Sequence, residues 1–112
     1  MIKLQSIYGK TFDESCIDWT NDRLVNLTYL KAMEQHFNNV LKARGHVLLN
    51  DVYDALGFSR TKAGLVVGWL YDEDNVNIDN YIDFDLPKAE ECEDVDIPVD
   101  FNVDGDISKH FK

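Results

Sequence analysis

A chain of 112 residues with 45% apolar content forms one domain and buries a core without relying on metals or disulfides. Its 21 acidic residues outnumber 11 basic ones, and the resulting net charge of −10 opposes direct binding to nucleic-acid phosphates. The longest apolar run, Leu65 to Tyr71, falls far short of the roughly 18 residues that a membrane-spanning helix needs.

The start, Met1-Ile2-Lys3-Leu4-Gln5, has neither the apolar segment nor the small-residue cleavage site of a signal peptide. Residues 1–19 mix short apolar stretches (Ile2, Leu4, Ile7, Tyr8, then Phe12, Ile17, Trp19) with Gly9, which predicts an irregular arm or short strand packed on the body. Thr20, Asn21 and Asp22 each suit a helix N-cap. From there Leu24, Leu27, Leu30, Met33, Phe37, Val40 and Leu41 recur at three- and four-residue spacing up to Arg44, an amphipathic helix that Gly45 ends in a left-handed cap. After a brief apolar His46-Val47-Leu48-Leu49, Asn50 offers an N-cap for a second, short helix through Leu56, closed by Gly57. Ser59 caps a further turn through Lys62, and Gly64 interrupts it.

Leu65 to Tyr71 is β-branched and aromatic and reads as a strand. Asp72-Glu73-Asp74-Asn75 is turn chemistry, and Tyr81 to Leu86 alternates, with Ile82, Phe84 and Leu86 inward and Asp83 and Asp85 outward. The two stretches predict an antiparallel hairpin with a long loop. Pro87 to Asp96 reads as a solvated connector. Ile97 to Val103 adds a third strand, placed at an edge by Pro98, and Gly105 turns the chain into a terminal helical turn over Ile107 to Phe111. The expected fold is α+β: one long and one short helix packed on a small two- or three-stranded antiparallel sheet. It is a single domain over 1–112, with an N-terminal arm (1–19), a helical part (20–63) and an acidic β part (64–112) that contains the solvated connector 87–96.

Charge divides along the same line. Residues 1–70 hold 8 basic and 7 acidic residues, whereas 71–112 hold 3 basic and 14 acidic ones. Catalytic chemistry has no support: no Ser, Cys or Lys nucleophile comes with a base, no glycine-rich phosphate loop exists, and nothing desolvates Asp83 or Asp85 as a catalytic carboxyl requires. His36, His46 and His110 are isolated, and Cys16 and Cys92 sit in unrelated contexts as free thiols, although a bridge between them depends only on their separation in space. Asp100, Asn102 and Asp104 fall at positions 1, 3 and 5 of a calcium loop, with Gly105 at 6 and Asp106 beside it, but Phe111 stands where the bidentate carboxylate belongs. A helix-turn-helix over Leu49 to Val66 would use Arg44, Arg60 and Lys62 on phosphates; Gly64 and Gly68 inside its second helix and the net charge oppose it.

The stretch from Arg44 to Gly57, then Arg60-Thr61-Lys62-Ala63-Gly64, Val67 to Asp72, Asp79 to Phe84 and Asp100 to Gly105 resembles a family of uncharacterised bacteriophage and prophage proteins of Gram-positive hosts. The likeness covers roughly the last two-thirds of the chain; members are often longer, with an apolar segment ahead of this module. It implies a phage origin and residence in the host cytoplasm or the virion, and it brings no activity, cofactor or site.

The sequence therefore leads to a non-enzymatic protein, without a cofactor, that works through protein–protein contact as a virion component or assembly factor. The partner is another copy of itself or a host or phage protein. Candidate contacts are Tyr71, Asp72, Glu73, Asp74, Asp79, Tyr81, Asp83 and Asp85, with Arg44, Arg60 and Lys62 as a basic patch that could meet them head to tail in a homo-oligomer. An alternative is an inhibitor whose carboxylates imitate nucleic acid and occupy the groove of a host defence enzyme.

Overall fold

The computed structural model of the chain describes residues 6–111; Ile2 and Leu4, read above as part of the arm, lie outside them. Among the three cap candidates it is Asp22 that opens the long helix α1 (Arg23–Arg44), its carboxylate accepting from the Leu24 and Val25 N–H groups at 3.0 and 3.2 Å. Gly45 closes α1 in the left-handed region at φ 89°, its N–H bonded to the Leu41 carbonyl. Leu27, Leu30, Phe37 and Leu41 are buried along one stripe, with Met33 and Val40 packed beside it. Leu24 is not on the stripe: it is 46% exposed, and Asn26 is buried in its stead. The reason lies in what Asn26 bonds, described below.

Directly after Gly45 the apolar residues form β2 (His46–Leu48), antiparallel to β3 (Val67–Leu70) with Leu48 opposite Gly68. The helix α2 (Leu49–Leu56) follows at once and ends at Gly57. Asn50 is not its N-cap; Leu48 holds that place without a side-chain bond. Instead Asn50 is buried in the first turn and exchanges two hydrogen bonds with the Thr61 backbone, at 2.9 and 3.0 Å, which fastens the loop after α2 to the helix. The turn expected through Lys62 falls at Ala63–Leu65 as a 3-10 helix and leads straight into β3. Among the described residues no α-helix follows α2, only this short 3-10 turn and then β3, so the helix-turn-helix reading is overturned.

The expected hairpin is also corrected. The partner of β3 is β2 on one side and a two-residue β5 (Gly105–Asp106) on the other, while Tyr81 to Leu86 is in no sheet. Its alternation survives, with Ile82 and Phe84 buried and Asp83 and Asp85 exposed, because side chains take the place of a partner strand. From α1, Asn38 accepts from the Ile82 N–H at 2.7 Å and donates to the Ile82 carbonyl at 2.9 Å. One turn earlier Glu34 accepts from the Phe84 N–H at 2.7 Å. The Phe84 carbonyl receives the Asp100 N–H. The third strand is likewise shortened. Its first part, β4 (Ile97–Val99), pairs with β1 (Lys10–Phe12) in a separate two-stranded sheet where Pro98 faces Thr11; residues 100–103 are in no strand, and β5 begins beyond them at Gly105, the residue expected only to turn the chain. Phe101 sits between the two sheets, 4% exposed, with its ring 5.5 Å from Tyr53, 5.6 Å from Phe84 and 6.4 Å from Trp69. The class is α+β, with two helices on small antiparallel sheets.

Burial first, and then the charge of Asp83, push the Glu34 carboxyl above its ordinary value, against the Phe84 N–H and Lys31, which favour the anion. The folded chain thus takes up this proton more readily than the unfolded one. Glu34 favours folding most at low pH, and that contribution is lost as pH rises from the ordinary carboxylate range through its raised folded value. Glu34→Gln keeps an acceptor for Phe84 and removes the buried charge, so urea melts at pH 7 are expected to show equal or greater stability. Glu34→Ala orphans the Phe84 N–H and is expected to cost about 1–2 kcal/mol. A loss in Glu34→Gln equal to that in Glu34→Ala would refute this role.

Candidate functional site

The acidic connector 87–96 is exposed along most of its length, yet it is fastened to the body. Its Cys92 is buried, and three side chains from the start of the chain hold its backbone. Arg23 Nε donates to the Cys92 carbonyl at 2.7 Å; Asn26 Nδ2 and Trp19 Nε1 both donate to the Val95 carbonyl, at 2.9 and 3.2 Å. Asn26 also donates to the Thr20 carbonyl and accepts from the Thr20 N–H and hydroxyl, so its amide is fully used. That network explains the buried asparagine and the displaced Leu24. A polar residue directly ahead of Leu27 on the apolar side of α1 was the signal in the sequence, but nothing there named Val95 as its partner.

Docked in this way, the connector becomes one wall of a groove of about 580 Å³ whose other wall is the segment 85–87 and β4. Leu86, Pro87, Cys92, Ile97 and Pro98 supply apolar lining, and the acidic residues are Asp85, Glu91, Glu93, Asp94, Asp96 and Asp100; among the described residues no lysine or arginine lines it. Asp85 is the one predicted contact residue that reaches this groove. Its φ of 56° bends the chain away from the extended run before it, and its N–H is held by the Asp83 carboxylate at 2.7 Å.

The remaining predicted contacts lie elsewhere. Asp72, Glu73 and Asp74 are exposed in a turn closed by the Asn80 side chain on the Asp72 N–H, and the Tyr71 hydroxyl donates to Glu73, a hydrogen bond that, ahead of burial and the Glu73 charge, raises the phenol. Tyr81 is 51% exposed. Asp79 and Asp83 gather at Asn102, whose amide donates to the Asp79 carboxylate and the Tyr81 carbonyl and accepts from Trp69 Nε1 and the Asp83 N–H. Asp104 accepts the Leu70 N–H at 2.8 Å and is raised above its usual range by burial, then by Asp79, while its hydrogen bonds pull it down. Asp100 accepts from Ser6, and Asp106 accepts the Ser108 N–H. The four calcium-loop candidates are thus turned to four different neighbours. Among the described residues no group of three or more His, Cys, Asp or Glu side chains is arranged to hold a metal.

The basic patch is partly neutralised. Arg60 Nε bonds both carboxylate oxygens of Asp54, at 3.1 and 2.9 Å, and Arg44 lies 3.9 Å from Asp51; Lys62 is exposed. Both pairs are solvent-exposed, so each holds its arginine by at most about 1 kcal/mol. Cys16 and Cys92 are buried free thiols. Among the described residues no helix is long and apolar enough to cross a membrane.

No curated protein and no solved structure matches the chain. A family of unknown function (DUF6353) matches it over residues 1–111, nearly its whole length, and the chain belongs to that family.

Proposed function

We propose that the protein is a non-enzymatic, phage-encoded virion component or assembly factor that works by protein–protein contact, and that its acidic groove receives a basic, partly apolar segment of another protein. The observation that carries this reading is the composition of the groove: six acidic residues over an apolar lining, with no lysine or arginine among the described residues that line it. Such a site attracts lysine and arginine from a distance and gives their aliphatic stems, and neighbouring leucines, a surface to bury against. The carboxyls with raised values, Glu34 and Asp104, lie outside it and are each occupied by a backbone N–H, which supports binding over catalysis. A concave acidic site also favours this reading over nucleic-acid mimicry, since a mimic must enter an enzyme's groove with its charges on a convex ridge.

The test is fluorescence anisotropy with a labelled decapeptide of lysine and leucine, with Trp19 beside the connector as an internal reporter. Binding is expected, weakening about tenfold or more between low and physiological salt. Replacing Glu93, Asp94 and Asp96 by their amides should abolish it, while the same change at Asp72, Glu73 and Asp74 should leave it. Absence of binding, or equal weakening by both sets, would overturn the groove; the second outcome is the one a dispersed, nucleic-acid-like acidic surface would give.

A further inference from the structure

His46 is the first residue of β2, and its ring meets the C-terminal 3-10 turn Ser108–Phe111. The Phe111 ring stands edge-on to it at 4.8 Å and 85°, and the His110 ring lies 5.3 Å away. The His46 Nδ1 is enclosed and has no hydrogen-bond partner among the described residues. A neutral imidazole tolerates this when Nδ1 is its unprotonated nitrogen, because only an acceptor goes unused. An imidazolium carries a proton on both nitrogens, so the same position then buries a charged donor with no partner in hydrogen-bond geometry among the described residues.

The charged groups around this ring do not relieve that penalty. Arg44 at the end of α1 and His110 on the turn both oppose a charge on the ring, Lys109 is exposed on the same turn, and Asp51 of α2 is already shared with Arg44. From β3 the residue opposite His46 is the apolar Leu70. Burial first, then Arg44 and His110, lower the proton affinity of His46; Asp51 and a poorly aligned Arg44 backbone carbonyl oppose them. The turn itself is lightly held. Ile107 is buried with its N–H on the Val66 carbonyl, but Lys109, His110 and Phe111 are exposed. Beyond Ile107, the ring contacts with His46 join the turn to the body.

We propose that this contact is an acid-released latch: protonation of His46 detaches Ser108–Phe111 from β2, while Ile107 keeps the preceding chain in place. Attachment is complete above the ordinary histidine value of 6.5 and is lost as pH falls below it, because the detached state binds the proton more tightly than the attached one.

The test uses the full chain and nuclear magnetic resonance. The His46 ring is expected to titrate below 6.5. Between pH 7.5 and 5, hydrogen-exchange protection at the His110 N–H, corrected for intrinsic rates, is expected to fall about fivefold or more, with Trp69 unchanged. His46→Phe, which keeps a packed ring and removes the charge, should make that protection independent of pH. His110→Gln removes the neighbouring cation and should move the His46 midpoint upward. The latch is overturned by a His46 midpoint at or above 6.5, by an equal pH response in His46→Phe, or by an unmoved midpoint in His110→Gln.

Discussion

Gly68→Ala is expected to destabilise the fold by about 3 kcal/mol or more, read as a lowered urea midpoint with an unchanged slope. Gly68 lies in the central strand β3, paired with Leu48 on one side and Gly105 on the other. A Cβ there would stand 2.1 Å from the Val47 carbonyl oxygen and 3.0 Å from the Leu48 Cα. Both are backbone atoms of the neighbouring strand, so relief requires β2 to move. β2 is fixed between the end of α1 and the start of α2, with Val47 and Leu49 fully buried. Gly45 provides the contrast. It has open space around its missing Cβ and only its φ of 89° to defend, so Gly45→Ala is expected to cost about 1 kcal/mol. A Gly68→Ala variant as stable as Gly45→Ala would show that the strands do not approach as described.

Asn102→Ala is expected to cost about 3 kcal/mol. Trp69 is fully buried and its Nε1–H bonds Asn102 Oδ1 at 2.9 Å; the indole can only donate, so this contact fixes which way the amide points. The same oxygen takes the Asp83 N–H, and Nδ2 spans the Asp79 carboxylate and the Tyr81 carbonyl. Truncation leaves the indole donor buried without a partner and frees the 79–83 loop from the last segment of the chain. Asn102→Asp separates the two halves of this role. It keeps the acceptor for Trp69 but sets a carboxylate against Asp79, close to Asp104, so its folded form holds its proton more tightly than its unfolded form. Its stability relative to the parent should therefore fall as pH rises from 5 to 8, whereas Asn102→Ala should show a constant deficit. Urea melts at the two pH values, followed by tryptophan fluorescence, decide this. A pH-independent Asn102→Asp or a neutral Asn102→Ala would refute the bridging role.

These two positions mark what was legible in the sequence. Gly68 announced itself as an oddity in an apolar, β-branched run, and a glycine inside a strand signals close approach of another backbone. Which backbone approached was not legible: β2 lay in a four-residue apolar scrap, His46 to Leu49, with no alternation to identify it. Asn102 was noticed for the wrong reason. Its spacing to Asp100 and Asp104 matches a calcium loop, yet Asp100 bonds Ser6 while Asn102 and Asp104 bond Trp69 and Leu70 of β3, so each side chain is occupied by the protein itself. The groove was the least legible of all. The run from Pro87 to Asp96 reads as solvated because its carboxylates are indeed exposed; its burial is through Cys92 and through backbone carbonyls, which every sequence possesses and no sequence displays.

Local physics thus settled in the sequence whatever depends on neighbours along the chain. The long helix with its Gly45 cap, the end of the short helix at Gly57, β3, the in-and-out order of Ile82 to Asp85 and the crowding of acid into the second half all follow from periodicity, capping and composition, whereas the choice of Asp22 among three N-cap candidates does not. The tertiary structure alone decided what pairs with what: β2 as the partner of β3, β4 on β1 in a sheet of its own with β5 added to β3, and side chains of α1 serving Tyr81 to Leu86 in place of a strand. It alone turned a charged connector into the wall of a groove. The reason is that backbone groups are identical in every residue, so their partners are chosen by which surfaces the core brings together.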